Sequence, residues 1–341
     1  MNCRSSTTNN SEAQLISRHR SELMGLAMLW VILFHCFHLE IAQPQLKFFK
    51  EIGFCGVDIF ILLSGMGQYV SLAKAKSLRE YYSRRLLRIL PAYWLVVGAY
   101  GVVLRLLERT SLTMIAWNLS TLQFWLDVEG GFNWYIPALL AFYLLAPFYV
   151  RLLRRCRHDY LLTVSIFPLS YLLMKAAGRW HFTHLSDFLY RLPAFALGCL
   201  LGRLLQEERP KLPRALLWSG LGLFGLFLAY ARTTELFYIS YCYAVTMMAV
   251  PLCVLLSLLM TKLPQMTKLP LRLLGTYSLE IYLVNVIFTV EITALLPRLS
   301  FGRGYGCYYA VCFLLTIPLA VGLHGLLTRG ETMVRQKFLT A

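Results

Sequence analysis

The stretch LMGLAMLWVILFHCFHLEIA, residues 23–42, is apolar at almost every position. A helix needs about 20 mostly apolar residues to cross the hydrocarbon core of a bilayer, so this stretch predicts a membrane-spanning helix. It also contains His35, and an ionisable side chain at membrane depth costs free energy unless it is paired or used. We therefore interpret the stretch as a first span and His35 as a candidate functional residue.

The whole chain has the composition of an integral membrane protein. Of its 341 residues, 58% are hydrophobic and only 15% are charged, with a mean hydropathy of +0.58, whereas soluble domains are nearer one quarter charged. Apolar runs recur along the chain and predict an all-α membrane protein, a bundle of about ten transmembrane helices. The predicted spans are approximately residues 23–42, 53–72, 89–107, 133–150, 160–177, 187–205, 215–231, 236–260, 273–296 and 306–328.

The charge pattern predicts how this bundle is oriented. The net charge is +16, but the basic residues cluster between apolar runs, which favours membrane topology over nucleic-acid binding. The positive-inside rule places both termini in the cytosol. It gives a disordered cytosolic tail over 1–20, a transmembrane domain over 21–330 and a cytosolic tail over 331–341. Segment 110–131 is either another span or an interfacial or re-entrant helix, and the charge pattern favours the second.

His35 has a candidate partner on the next predicted span. Helix rise places His35 about 10 Å and Asp58 about 8 Å below the outer ends of their spans, so both can share one level on antiparallel helices. A carboxylate bonded to one imidazole nitrogen would fix the tautomer and leave the other nitrogen as a base. The alternative is a buried pair that only joins two helices.

A basic stretch precedes the third predicted span. Arg84, Arg85 and Arg88 lie in SLREYYSRRLLRILPAYW, residues 77–94. Guanidinium groups bind phosphates with two parallel hydrogen bonds, so the three residues are candidates for binding a phosphorylated cytosolic cofactor. The alternative is that they contact lipid phosphates and only set the topology.

Other polar and aromatic residues at membrane depth are candidates for binding substrate. A pair with Asp187 one turn earlier explains Arg191 without a function, whereas a membrane carboxylate such as Glu280 needs a partner that the local sequence does not offer. The nine cysteines show no metal-ligand spacing, so no metal site is expected. The candidate substrate-binding residues are Trp134, Tyr135, Arg191, Glu280 and Asn285.

Five motifs, collinear over most of the chain, resemble those of the membrane acyltransferase-3 family. Members of this family are multi-pass O-acyltransferases that acylate sugars and other hydroxyl-bearing acceptors. The motifs are SELMGLAMLWVILFH (21–35), GFCGVDIFILLSG (53–65), YYSRRLLRILPAYW (81–94), RLPAFALG (191–198) and LLGTYSLEIYLVN (273–285). The first is similar to the family motif that ends in the catalytic histidine, which makes His35 the implied catalytic residue.

The chain departs from the family pattern at two places. Many members carry an arginine ten or eleven residues before the histidine, where this chain has Met24 and Gly25, and Arg20 lies one turn earlier. Many members also end the late motif with histidine, where this chain has Asn285. Both departures indicate a divergent branch and leave the acceptor open.

The resemblance and the residues together predict an integral-membrane O-acyltransferase of the plasma membrane. Acyl-CoA, with acetyl the commonest acyl group in the family, would be a donor substrate rather than a permanently bound cofactor. Its phosphates would bind the arginine cluster, and the acyl group would pass to a hydroxyl of a glycan through base catalysis by His35 and Asp58, or through an acyl-enzyme on the histidine. The alternatives are a transporter or flippase of a glycan or anionic substrate, and an inactive scaffold.

Overall fold

The computed structural model describes residues 11–128, 133–207, 217–222, 225, 237–291 and 305–339, and the elements assigned there are helical. The helices are α1 (Glu12–Arg18), α2 (Arg20–His35), α3 (Pro44–Glu51), α4 (Cys55–Lys74), α5 (Leu78–Leu106), α6 (Leu112–Ser120), α7 (Leu122–Trp125), α8 (Tyr135–Arg155), α9 (Asp159–Arg179), α10 (Ser186–Leu189), α11 (Leu192–Gln206), α12 (Phe237–Lys262), α13 (Gln265–Thr276), α14 (Ser278–Val286) and α15 (Tyr305–Leu339).

Within these residues, six helical segments are long and apolar enough to cross a membrane. A seventh counts if α13 and the helix from Ser278 to Val290, which meet at a bend of 66°, form one broken span. The predicted all-helical membrane protein is confirmed, but the predicted count of about ten spans is not. The six segments are Leu78–Leu106, Tyr135–Arg155, Asp159–Arg179, Thr183–Gln206, Cys242–Lys262 and Tyr305–Arg329.

Four of the predicted spans have no counterpart among these six segments, and one of them, 53–72, coincides with α4 (Cys55–Lys74). The span 23–42 is replaced by α2, which has 16 residues and ends at His35, shorter than the roughly 20 residues that a full crossing needs. The predicted span 215–231 lies largely outside the described residues. The predicted span 273–296 is broken at the bend between α13 and α14.

The predicted disordered tail 1–20 is wrong for residues 11–20, while residues 1–10 lie outside the described part of the chain. Ser11 caps α1 by accepting a hydrogen bond from the Gln14 amide, and the Gln14 side chain accepts one from the Ser11 amide. This reciprocal pair stabilises the first turn of a helix. Ala13 and Ile16 are then buried on one face of α1, which anchors it to the bundle.

Segment 110–131 begins with two short helices rather than one span. α6 has nine residues, and Thr121, with φ of 63°, turns the chain before α7. The Tyr93 hydroxyl donates to the Asn118 carbonyl at 2.7 Å, which holds α6 against α5. α6 alone is too short to cross a bilayer.

Glycines allow two helix pairs to approach closely. A Cβ at Gly198 of α11 would collide with the Leu62 carbonyl oxygen of α4, and one at Gly65 of α4 would collide with the Phe195 carbonyl oxygen. α2 and α13 meet in the same way, at Gly275. Small residues are the usual means of packing membrane helices at short distance. These contacts fix α2 and α4, which carry the candidate site residues.

Candidate active site

His35 is the last residue of α2, and a backbone carbonyl fixes its imidazole. Its Nδ1 lies 2.8 Å from the carbonyl oxygen of Val31, one turn earlier. A carbonyl oxygen only accepts hydrogen bonds, so Nδ1 carries the proton and Nε2 keeps a free lone pair. This is the tautomer that a general base needs, and it is set within a single helix.

The imidazole lies beside a cavity of about 490 Å³, which we call the histidine cavity. Arg191 and Trp134, both predicted to bind substrate, line it together with His35. Two acidic side chains, Glu51 and Asp187, also reach it. The cavity thus combines a base, a guanidinium, an aromatic ring and two carboxylates.

The structure corrects the predicted pairing of His35 with Asp58. One carboxylate oxygen of Asp58 accepts a hydrogen bond from the Thr246 hydroxyl at 2.8 Å. The other lies 3.7 Å from Nε of Arg191. Helix rise predicts the depth of a side chain but not the face of the helix on which it lies, and Asp58 faces α11 and α12 rather than His35.

Arg191 is the most confined charged group of the histidine cavity, with only 2% of its side chain exposed. Its Nη1 donates to the Asp187 carbonyl oxygen at 2.8 Å and to the Asp187 carboxylate at 3.3 Å. The guanidinium also stacks on the rings of Trp134, at 4.5 Å, and Tyr190, at 4.2 Å. The predicted Asp187–Arg191 pair is present, and Arg191 additionally bridges to Asp58.

A second cavity of about 370 Å³ lies toward the other end of α2, and we call it the arginine cavity. Its basic residues are Arg20, Arg85 and Arg88. Arg85 lies near the rings of Tyr81 and Tyr143, at 6.0 and 5.9 Å, and its Nε is buried without a hydrogen-bond acceptor among the described residues. A buried donor without a partner is costly, which favours a ligand at this position.

The predicted arginine cluster is therefore only partly brought together. Arg84 does not line the arginine cavity and instead pairs with Glu80 on the exposed side of α5. Arg20, at the start of α2, takes its place. Arg20 is also the residue that lies one turn before the position of the missing family arginine.

Glu280 has the partners that the local sequence does not offer. Nη1 of Arg88 lies 2.6 Å from one carboxylate oxygen of Glu280, and Nδ1 of His324 lies 2.9 Å from the same oxygen. The Glu280 side chain is fully buried, whereas that of Arg88 is 43% exposed. Glu280 therefore links α5 and α15 and holds Arg88 at the rim of the arginine cavity.

Two other predicted substrate-binding residues lie away from the histidine cavity. Tyr135 lines the arginine cavity. Asn285 is buried, and its side-chain and backbone oxygens accept from the Thr289 hydroxyl at 3.4 and 2.8 Å. Tyr135 therefore belongs to the other cavity, and Asn285 contributes to helix packing.

The two cavities meet at three shared side chains. Val31, Val57 and Tyr282 line both of them. Arg20 and His35 stand at opposite ends of α2, so helix rise separates the two charged regions by about 22 Å. Side chains of α2, α4 and α14 therefore form the boundary between the arginines and the imidazole.

Two site residues carry no signal in the sequence. Glu51 belongs to the site because α3 folds against α2, and His324 is 44 positions from the carboxylate that it contacts. Two others do carry a signal, since Tyr282 lies in the fifth motif and Arg20 lies directly before the first.

A helical membrane protein with a base and a guanidinium in one cavity and arginines in another is a suitable architecture for acyl transfer. The model of the acyltransferase-3 family, described as an acyltransferase domain, matches residues 23–325, and the chain belongs to this family. It is an enzyme that transfers acyl groups.

Among curated proteins, the chain is similar to one from Komagataeibacter xylinus that is named "Putative membrane-bound transacylase BcsY". The two are 28% identical over 289 residues, which is 76% of this chain and 70% of the relative. No solved structure matches the chain.

Proposed function

We propose that this acyltransferase is an O-acyltransferase that moves an acetyl group from cytosolic acetyl-CoA to a hydroxyl of a cell-envelope glycan. The observation that carries the proposal is the meeting of the two cavities beside His35. A donor bound at one end and an acceptor bound at the other can then react without either substrate crossing the membrane.

The arginine cavity suits the phosphates of CoA. Guanidinium groups form short, paired hydrogen bonds to phosphate oxygens. Arg88 already binds Glu280, so we assign most of the phosphate binding to Arg20 and Arg85. This assignment places the arginine cavity, and both termini of the chain, on the cytosolic side of the plasma membrane.

The histidine cavity suits a polyhydroxylated acceptor. The carboxylates of Glu51 and Asp187 can accept hydrogen bonds from sugar hydroxyls, and the ring of Trp134 offers an apolar face. Trp134 already carries the Arg191 guanidinium at 4.5 Å, so the sugar would lie beside this pair.

The reaction needs one base and one positive charge. Nε2 of His35 takes the proton of the acceptor hydroxyl, and the oxygen attacks the thioester carbonyl carbon to give a tetrahedral oxyanion. When this intermediate collapses, the new bond between the acceptor oxygen and the acyl carbon remains and the C–S bond breaks. The CoA thiolate then takes the proton from His35 and leaves as the thiol. Arg191 lines the same cavity and supplies positive charge near the oxyanion.

Asp58 has a role in this scheme that differs from the predicted one. Because its carboxylate lies against Arg191 and Thr246, it positions the guanidinium. The tautomer of His35 is set by Val31 instead.

The test measures transfer of radiolabelled acetyl from acetyl-CoA into the glycan fraction of membranes that contain the protein. His35→Ala should abolish the transfer. His38→Ala is the matched control, because His38 stacks on Tyr305 outside the histidine cavity, and it should keep the activity. Full transfer by purified, folded His35→Ala would contradict the proposal and favour a transporter.

A further inference from the structure

Three side chains form the boundary between the arginine cavity and the histidine cavity. Val31 comes from α2, Val57 from α4 and Tyr282 from α14, and each is 2% to 8% exposed. We call this boundary the waist. Any group that travels from one cavity to the other must pass between these side chains.

The waist is held on all sides. Branching at Cβ leaves Val31 and Val57 few rotamers. The Tyr282 ring packs edge-on against Tyr135, with centroids 5.0 Å apart. α2 and α4 approach closely at Gly56, where a Cβ would lie 2.5 Å from the Ala27 carbonyl oxygen. The helices therefore have little freedom to separate, and the waist keeps its width.

The waist also lies close to the base. Val31 is the residue whose carbonyl accepts the hydrogen bond from His35, and four residues of helix rise amount to about 6 Å. An acyl-CoA whose phosphates stay at the arginines enters with its acyl group in front. The acyl group must therefore clear the waist before the thioester can reach Nε2 of His35.

We propose that the waist formed by Val31, Val57 and Tyr282 selects the acyl group by its width and excludes acyl groups that branch next to the carbonyl. This inference rests on the proposed function. The slender end of the pantetheine arm and an unbranched acyl group have similar cross-sections, so a passage that admits one admits the other. A branch at the carbon next to the carbonyl adds a methyl group to the part of the donor that has to pass Val31, Val57 and Tyr282.

The test compares propionyl-CoA with isobutyryl-CoA, which differ by one methyl branch. Transfer of label into membrane glycan is measured in native membranes of cells that express each variant in place of the wild-type chain. A pocket discriminates against one extra carbon by about 10-fold to 200-fold, so wild-type protein should prefer propionyl by at least about tenfold. Val57→Ala and Tyr282→Leu should each raise the isobutyryl-to-propionyl ratio about tenfold.

Val70→Ala is the matched control, since Val70 lies on α4 but does not line either cavity, and its ratio should equal that of the wild-type chain. Equal wild-type rates for the two donors would overturn the waist while leaving the proposed acyl transfer intact. An unchanged isobutyryl-to-propionyl ratio in both Val57→Ala and Tyr282→Leu, at wild-type protein abundance, would also overturn the waist. Absence of transfer from every acyl-CoA would instead refute the proposed function, and the waist with it.

Discussion

The two cavities hold their cationic groups in different surroundings. Arg191 of the histidine cavity is 2% exposed and contacts two carboxylates and two aromatic rings. Arg88 of the arginine cavity pairs with Glu280 but is 43% exposed, and Arg85 lies near two tyrosine rings. The Nε atoms of Arg85 and Arg191 are both buried without a hydrogen-bond acceptor among the described residues. An enclosed cation that carboxylates hold in place suits a site that orients reacting groups, whereas a cation at an open rim suits a site that captures an anionic ligand.

The largest effect should come from Asp58→Ala, which tests whether the buried carboxylate of Asp58 holds the Arg191 guanidinium in place. Removing one partner of a buried ion pair costs about 3–5 kcal/mol, because the other charge is left uncompensated. We expect lower abundance, a lower apparent Tm and loss of acyl transfer, measured in detergent-purified protein.

Glu80→Ala is the control for this prediction, since it removes the partner of Arg84 from an exposed pair. Such pairs contribute at most about 1 kcal/mol. Equal Tm values for the two variants would mean that Arg191 does not depend on Asp58.

A smaller effect is expected from Arg191→Lys, which keeps the charge but loses the planar fork. Lysine does not reproduce stacked, bidentate contacts, and a lost hydrogen bond to a charged group costs about 1.5–3 kcal/mol. The rate at saturating acyl-CoA should fall about 10-fold to 100-fold.

Arg88→Lys provides the comparison, because its half-exposed side chain can still place a charge at the rim of the arginine cavity. We expect a higher KM for acyl-CoA and a nearly unchanged kcat. If both lysine variants lower kcat equally, the contrast between the two cavities disappears.

The smallest effect should come from Arg84→Ala. Its side chain is 61% exposed, pairs with Glu80 and does not line the arginine cavity. The KM for acyl-CoA should change less than about twofold, since an exposed ion pair contributes little. A large increase in KM would restore Arg84 to the donor site that the sequence pattern predicts.

These contrasts also show which features the sequence predicts. Hydropathy identifies the helical membrane protein, and the cost of an ionisable group in an apolar run identifies His35. The direction in which the Asp58 side chain points depends on how α4 is rotated about its own axis. Close glycine contacts with α11 determine this rotation, and the hydropathy pattern does not reveal it. The partner of Glu280 is Arg88, 192 positions away, so only tertiary structure reveals it.

The count of about ten spans is not confirmed among the described residues, for a related physical reason. A run of apolar residues does not show where the backbone leaves the helix, and α2 ends at His35 while apolar residues continue beyond it. The end of α2 also places the imidazole beside the histidine cavity, so the predicted and observed ends of this helix differ at the residue that matters most for the site.

The central claim is that the arginine cavity binds CoA and the histidine cavity carries out the transfer. It is tested most directly by measuring CoA binding and acyl transfer separately in His35→Ala and Arg85→Ala. We predict that His35→Ala binds CoA with wild-type affinity but transfers no acyl group. Arg85→Ala should bind CoA about 10-fold to 100-fold more weakly, the loss of a charge-assisted contact, yet transfer at a nearly normal rate when acyl-CoA is saturating. If both variants lose binding and transfer in the same proportion, the two cavities do not have separate roles, and the proposed meeting of donor and acceptor at His35 is wrong.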